Sequence, residues 1–185
     1  MRTLVVTENI TLDGVIDASE GWFAPAGDDD QSDLDAALHE QAEAADALLL
    51  GRVTFEEFRG YWPLQTDDET GVTEYLDNVS KYVVSSTMKD PAWKRSTVLS
   101  GDLEHDVREL KSKSGKDIVV TGSITLVHEL IHLGLIDEYR LFVYPVVLGR
   151  GARLFADATS VRKLELVGSR RFRSGVMLAC YRTDG

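Results

Sequence analysis

The sequence predicts an α/β domain built on a mixed, mostly parallel sheet, and three features carry that prediction. Short β-branched apolar runs alternate with apolar residues at helical spacing through the first two-thirds of the chain, the pattern of strand–helix–strand units. The runs that end at Gly51-Arg52 and at Gly122-Ser123 pass directly into helical patterns. The last two apolar runs, 163–169 and 175–182, are separated by a turn at Ser174-Gly175 and face each other as an antiparallel pair. With 185 residues the chain reads as one domain, 1–185, large enough to bury a proper core.

Residues 3–7 (TLVVT) open the fold as a strand. The segment 11–16 follows, with Asp13-Gly14 as its turn signal. Residues 17–33 form a polar loop containing Trp22, Phe23, Pro25 and the run Asp28-Asp29-Asp30; a loop of this length in a compact domain is expected to be functional or mobile. Leu34, Ala37, Leu38, Ala42 and Ala45 then recur at helical spacing. Ala47 to Leu50 reads as a buried strand. Thr54 reads as the start of the next helix, because Thr54-Phe55-Glu56-Glu57 fits the capping box. Tyr61-Trp62-Pro63 reads as core, and 64–77 as acidic loop with a short helix. Strands are expected at 81–86 and 97–99, and a helical stripe at Leu103, Val107 and Leu110 ends before Gly115. A strand at 117–121, a helix near 124–133 and a strand at 138–147 complete the alternating part. No internal repeat, low-complexity tract or linker interrupts it.

Composition removes several function classes. A formal net charge of -11 argues against DNA or RNA as a partner, since phosphate binding needs a basic footprint. One small anionic ligand held by a few local cations is compatible with that charge. The single cysteine, Cys180, excludes an internal disulfide and fits a reducing compartment; it lies in the apolar run 176–181 and reads as a buried, inert thiol. The N-terminus enters a strand at once, without the apolar core of a signal peptide, and no apolar run approaches a membrane span. A cytoplasmic location and no membrane partner are the expectation.

Residues 128–132, HELIH, match the zinc-protease pattern, in which two histidines one helical turn apart hold the metal and the glutamate polarises its water. Helical periodicity places Leu126, Val127, Leu130, Ile131, Leu133 and Gly134 on one side, with His128 and His132 on the opposite, solvated side. The extended pattern is not met, because Gly134 comes one place early and no histidine follows His132. The motif reads as a wet helix face, and no metal is expected.

A second pattern points elsewhere. Val119-Val120-Thr121-Gly122-Ser123 before a helix is a strand ending in a small-residue turn, which presents backbone N–H groups to an anion. On its own this is also an ordinary strand–helix turn, since the further glycines of the dinucleotide fingerprint are missing. Gly51-Arg52 puts a guanidinium at another helix start, where it can grip a phosphate bidentately. Ser85-Ser86-Thr87 puts three hydroxyls at a third strand end. Together the three ends suggest one rim for a multi-phosphate ligand, beyond the carboxyl ends of the strands.

These residues resemble the dihydrofolate reductase superfamily, and specifically the C-terminal reductase domain of the bacterial riboflavin-biosynthesis deaminase–reductase. The resemblance runs over nearly the whole chain. It is carried by Thr11-Leu12-Asp13-Gly14, the block 49–56 (LLGRVTFE), Lys81-Tyr82-Val83-Val84-Ser85, Gly122, Leu135-Ile136-Asp137-Glu138, and the block 145–151 (PVVLGRG) with Leu154-Phe155. It implies a dihydrofolate reductase-like three-layer α/β/α fold and an NADPH-dependent reductase acting on a small heterocyclic, carbonyl or imine substrate. The named activity of the nearest family is reduction of 5-amino-6-(5-phosphoribosylamino)uracil. Alternatives left open are dihydrofolate reduction and a non-catalytic nucleotide-binding dimer.

By the same resemblance, Arg52 with Ser85, Ser86 and Thr87 would hold the adenosine 2′-phosphate. Gly51 would bind the cofactor beside Arg52, and Thr54 with the turn Thr121, Gly122, Ser123, Ile124, Thr125 and Leu126 would hold the pyrophosphate. Gly14 and Ile16, in the Asp13-to-Ile16 segment, would line the nicotinamide, with loop 17–33 as a cover. Where the family carries two glycines this chain has Gly122-Ser123, and in dihydrofolate reductases that pair is joined by a cis peptide. Dihydrofolate reductases also place a carboxylic acid beneath the substrate; Asp28, Asp29, Asp30, Asp33 and Asp35 crowd that region without a clear match. Asp13 is the best single candidate for a catalytic or substrate contact, and equally reads as a turn residue. Trp22 either packs over substrate or anchors the loop. Gly149, Arg150 and Gly151 either reach a phosphorylated substrate or sit at a dimer interface. A homodimer through the C-terminal strands is expected.

Overall fold

A computed structural model describes residues 1–23, 30–68, 70–155 and 163–184. Pro25, Asp28 and Asp29, named above, lie outside the described residues. The strands are β1 Leu4–Thr11, β2 Ala45–Gly51, β3 Ser80–Val84, β4 Ser96–Leu99, β5 Asp117–Val120, β6 Glu138–Tyr144, β7 Leu164–Arg171 and β8 Met177–Thr183. They form one eight-stranded sheet in the order β4-β3-β2-β5-β1-β6-β8-β7. The pairs from β4 through β6 are all parallel, whereas β6–β8 and β8–β7 are antiparallel. The central strands are apolar on both faces, as a covered parallel sheet requires: Val5 and Val6, and Leu48, Leu49 and Leu50, are all essentially enclosed.

The helices are α1 Ser32–Ala44, α2 Arg52–Tyr61, α3 Val72–Asn78, α4 Leu103–Ser112 and α5 Ile124–His132. Alternation along the strands divides the core in two. Leu4, Val6, Leu49, Ile118 and Val120 pack against Val107 and Leu110 of α4 and Leu126, Val127 and Leu130 of α5. Val5, Leu48, Leu50 and Val119 pack on the other side against Phe55 of α2 and Leu76 of α3, and Leu34 and Ala37 of α1 meet Phe142. Three layers result, α4 and α5 on one face and α1, α2 and α3 on the other. Phe55, with no exposed surface, is the anchor of α2; its truncation to alanine would cost about 3–5 kcal/mol.

Several expected boundaries move, each for a local reason. β1 runs on to Thr11, because Glu8 to Thr11 pair with Leu141 to Tyr144 of β6. β3 stops at Val84; the Ser85 N–H makes the last bond to the Leu99 carbonyl (3.0 Å), and its Oγ accepts from the Thr87 and Met88 amides (3.2 and 3.0 Å). β6 stops at Tyr144 ahead of Pro145, which has no N–H to donate. The helix expected to begin at Thr54 begins at Arg52 with Gly51 as N-cap, so Thr54 lies inside the first turn and the capping-box assignment is incorrect. Tyr61-Trp62-Pro63 is not core as a unit: Trp62 packs half-buried beside Phe55's cluster, while Tyr61 and Pro63 are exposed. No helix of the described residues is long and apolar enough to cross a membrane.

Candidate active site

At the carboxyl edge of the sheet, β2 and its neighbour β5 send their following helices to opposite faces, α2 to one and α5 to the other. Such divergence opens a crevice where ligands of open α/β sheets bind. Here it is a groove of about 960 Å³ lined by Ile16 to Ser19, Gly51 to Thr54, Glu57, Phe58, Val84, Leu103, Gly122 to Leu126 and Glu129.

Two glycine-led turns shape its floor. The Gly51 N–H donates to Ser123 Oγ (2.9 Å), and the Ser123 N–H donates to Thr54 Oγ1 (3.0 Å), so the two helix starts are stitched across the crevice. Gly122 has φ +60°, and a Cβ there would lie 3.1 Å from Thr54 Cγ2; both the backbone conformation and the close approach select glycine. Ser123 takes φ 50°, an uncommon conformation for a residue with a side chain. No side chain caps the start of α2 or of α5. Their first-turn N–H groups and the positive ends of both helix dipoles therefore meet at one place, the arrangement that favours an anion. No cis peptide occurs among the described residues.

The charges around this floor are mixed. Arg52 lines the groove and is paired with Glu56 one turn on (2.7 Å), both half-exposed. Such an exposed pair is worth about 0.3–0.5 kcal/mol, so the guanidinium can exchange its partner readily. Asp17, Glu57 and Glu129 put three carboxylates on the walls. Asp17 is held below the usual carboxylate range by the Ser19 N–H and hydroxyl, so it is ionised at neutral pH.

Of the residues expected at a cofactor site, Ile16, Gly51, Arg52, Thr54 and the run Gly122, Ser123, Ile124, Thr125 and Leu126 share this groove. Thr121 and Gly14 lie beside it in the chain without lining it. Val84 lines the far end, but the hydroxyls that follow do not: Ser85 turns inward to its own loop, and Ser86 and Thr87 are exposed. Glu57, Phe58, Leu103 and Glu129 were not anticipated. Glu57 and Phe58 follow from helical phase once α2 begins at Arg52.

Asp13 stands outside the groove as a clamp between loops. Its carboxylate accepts from the Thr11 hydroxyl (2.7 Å) and from the backbone N–H groups of Leu148 (3.2 Å) and Gly149 (2.8 Å). The Thr11 hydrogen bond first, then that from Gly149, lowers its carboxyl to about 2. The other expected substrate residues serve the same junction. Arg150 forms a two-pronged pair with Glu20 (2.8 and 2.9 Å), and a Cβ on Gly151 would lie 2.9 Å from Val15 Cγ1. Trp22 donates from Nε1 to the Asp17 carbonyl (2.7 Å) and stands edge-on to Tyr144, anchoring the described start of the loop.

In α5, His132 is exposed, and His128 Nε2 lies 2.7 Å from the Arg153 carbonyl, docking the helix onto the 148–153 loop. Among the described residues no group of three or more His, Cys, Asp or Glu side chains is placed to hold a metal ion. Cys180 is half-buried rather than enclosed, and burial pushes its thiol up.

With this geometry in place, residues 2–178 match the model of the RibD C-terminal domain. The chain belongs to the RibD C-terminal domain family. YyaP of Bacillus subtilis (strain 168) is 32% identical over 189 residues, covering 100% of this chain and 96% of that protein. YwjB of the same organism is 30% identical over 183 residues, covering 96% of each. Among solved structures, a Shewanella sp. PV-4 protein provisionally assigned to riboflavin biosynthesis superposes with a TM-score of 0.73 at 19% identity, covering 99% of both chains. A deaminase/5-amino-6-(5-phosphoribosylamino)uracil reductase from Thermotoga maritima superposes with a TM-score of 0.67 at 18% identity, over 99% of this chain and 57% of that one. These structural likenesses establish the reductase-domain fold.

Proposed function

We propose that this member of the RibD C-terminal domain family is an NADPH-dependent reductase of a small heterocyclic, carbonyl or imine substrate, similar in activity to the uracil reductase named above. The observation that carries the proposal is the pair of uncapped helix starts meeting at Gly122 across the β2–β5 crevice. The fit to a dinucleotide rests on that floor: glycine is required by the close approach of Thr54, and the converging amides suit a pyrophosphate. Thr54, Ser123 and the first turn of α5 would hold the diphosphate. Arg52 would exchange Glu56 for the 2′-phosphate, with Ser86 and Thr87 beyond it, and Ile16 would lie at the nicotinamide end. The cofactor, when bound, supplies a hydride equivalent to an electrophilic carbon.

The chain's own contribution is positioning and a dry wall. Asp17 is the carboxylate nearest in sequence to the nicotinamide end. It is ionised at neutral pH, so it suits a hydrogen-bond acceptor better than a proton donor, and water is the proton source. A homodimer through the C-terminal strands accompanies this reading. One observation favours binding without turnover: the best catalytic candidate from sequence, Asp13, is engaged in holding loops together.

Thermal shift with NADPH, NADP⁺ and NADH tests the reading. NADPH is expected to raise the melting temperature well beyond NADH. Arg52→Ala should narrow the NADPH-over-NADH affinity ratio by roughly tenfold, the scale of one charge-assisted phosphate contact. No stabilisation by any nicotinamide cofactor would remove the reductase assignment. NADPH binding without oxidation across pterins, flavin precursors and carbonyls would favour the binding-only alternative.

A further inference from the structure

Directly beneath the groove floor lies an acid that no part of the proposed chemistry uses. Glu8 sits on β1 between Val6 and Ile10, on the sheet face covered by α4 and α5, and is only 6% exposed. The parallel pairing of Val6 with Val120 carries Gly122 alongside it, and the Gly122 N–H favours its charged form, while Oε1 has no hydrogen-bond partner among the described residues. Leu141 of β6 is its neighbour in register on one side, and β5 ends at Val120 on the other.

An ionised carboxylate enclosed in this way, with one oxygen unpaired, would bear a heavy desolvation penalty; neutralisation is the ordinary escape. Burial raises the Glu8 carboxyl well above the usual range, opposed only by the Gly122 N–H. The titratable groups on the surrounding elements offer no rescue. Tyr139 of β6, in register with Val6, has a partner of its own, Lys111 of α4 is committed to Asp137 (2.7 Å), and His128 of α5 is committed to the Arg153 carbonyl. The remaining nearby charges, Glu129 on α5 and Asp17 after β1, are acids on the groove wall and would disfavour a further anion.

We propose that Glu8 is a positioning residue of the groove: as a neutral carboxylic acid it fixes the Gly122–Ser123 turn from below, and its ionisation weakens anion binding above. A protonated carboxyl retains an acceptor oxygen for the Gly122 amide and adds no charge beneath the converging helix starts. Once ionised, it places a negative charge beside the turn. Affinity for a dinucleotide is thereby linked to a proton held inside the fold. This rests on reading the groove as a dinucleotide site, while the link between Glu8 and Gly122 does not.

The experiment is a pair of NMR titrations on the full chain, ¹³C at the Glu8 carboxyl and ¹⁵N at the Gly122 amide, with NADPH affinity measured across the same pH range. Glu8 is assigned by its loss in Glu8→Gln. The Glu8 signal should remain that of a protonated acid at neutral pH, and the Gly122 amide should shift along the same curve at higher pH. Wild-type NADPH affinity should fall by about tenfold across that step, the scale of one unit-charge repulsion over several ångströms. Glu8→Gln, neutral at every pH and able to accept the same hydrogen bond, should show no step. An ionised Glu8 at neutral pH, a Gly122 amide blind to the titration, or a step retained in Glu8→Gln would each overturn the proposal. If NADPH binds at no pH, the dinucleotide reading fails alone, and the two NMR curves decide the Glu8–Gly122 coupling. Should Glu8→Gln fail to fold, the wild-type curves decide it.

Discussion

Lys81 is fully enclosed on β3, and its ammonium donates to the carbonyls of Leu76 (2.5 Å) and Val79 (3.0 Å) while lying 4.7 Å over the Trp93 ring. Burial lowers it to about 8, against an ordinary lysine value of 10.5. The unfolded chain therefore binds more protons than the folded one between those values, and stability should rise with pH across that window. The difference between wild type and Lys81→Met, followed by urea denaturation from about pH 7.5 to 11, should carry that slope; parallel curves would refute it. Asp13 works in the opposite direction. Its carboxyl is held at about 2, below the ordinary aspartate value of 3.8, so the clamp's stabilisation is present above about pH 4 and is lost as pH falls toward 2. Denaturation of Asp13→Ala should show its largest deficit at neutral pH, shrinking on acidification. Gly122→Ala combines a left-handed backbone with a 3.1 Å contact to Thr54 and should cost about 1–2 kcal/mol while weakening NADPH. The need for glycine at position 122 was visible in sequence as a strand-end turn. The partners that make it necessary were not: Thr54 reads locally as a helix cap, and only the β2–β5 pairing turns its hydroxyl toward the Ser123 amide. Ser85 reads as a ligand hydroxyl for a similar reason, since its true acceptor role is to its own turn.

At the scale of elements, α5 shows how periodicity separated two motifs sharing one helix. Its buried face, Leu126, Val127 and Leu130, was legible from spacing alone, which left His128 and His132 off the core and the Gly122-Ser123 turn at the groove. The His128 contact to Arg153 was not legible, because the loop that receives it is distant in sequence. β7 is the other element whose role extends beyond the fold. It is the sheet's outer strand, eight residues long, and exposes Leu166 (56%) and Val167 (39%). An unpaired edge of that length with apolar side chains is a surface that proteins ordinarily cover. Sedimentation of the wild type is expected to give a dimer, with Leu166→Lys plus Val167→Lys sedimenting as a monomer of unchanged secondary structure. A monomeric wild type would remove the dimer from the account.

The whole molecule divides its labour between the two ends of one sheet. At the amino edge, charge pairs such as Arg2 with Asp46 and Arg140 with Asp117 tie strands and loops together. At the carboxyl edge, polar groups converge on a groove instead. The alternation of strands and helices was enough to read a mixed, mostly parallel sheet with an antiparallel end, because local periodicity reports burial directly, whereas the three layers followed from the family resemblance. The strand order was not readable in that way, and with it went the knowledge that β2 and β5 are neighbours whose helices diverge. Glu8 illustrates the same limit: in sequence it is a polar residue in a strand, and its enclosure depends on β5, β6 and α5 closing over it. Whether this crevice receives a nicotinamide dinucleotide is decided by backbone amide shifts on titration with NADPH. The largest changes are expected at Gly51, Arg52, Thr54 and Gly122 to Leu126, with the 380 Å³ hollow around Leu38, His39 and Gly71 unaffected. Shifts centred on that hollow, or none at saturating NADPH, would contradict the dinucleotide reading.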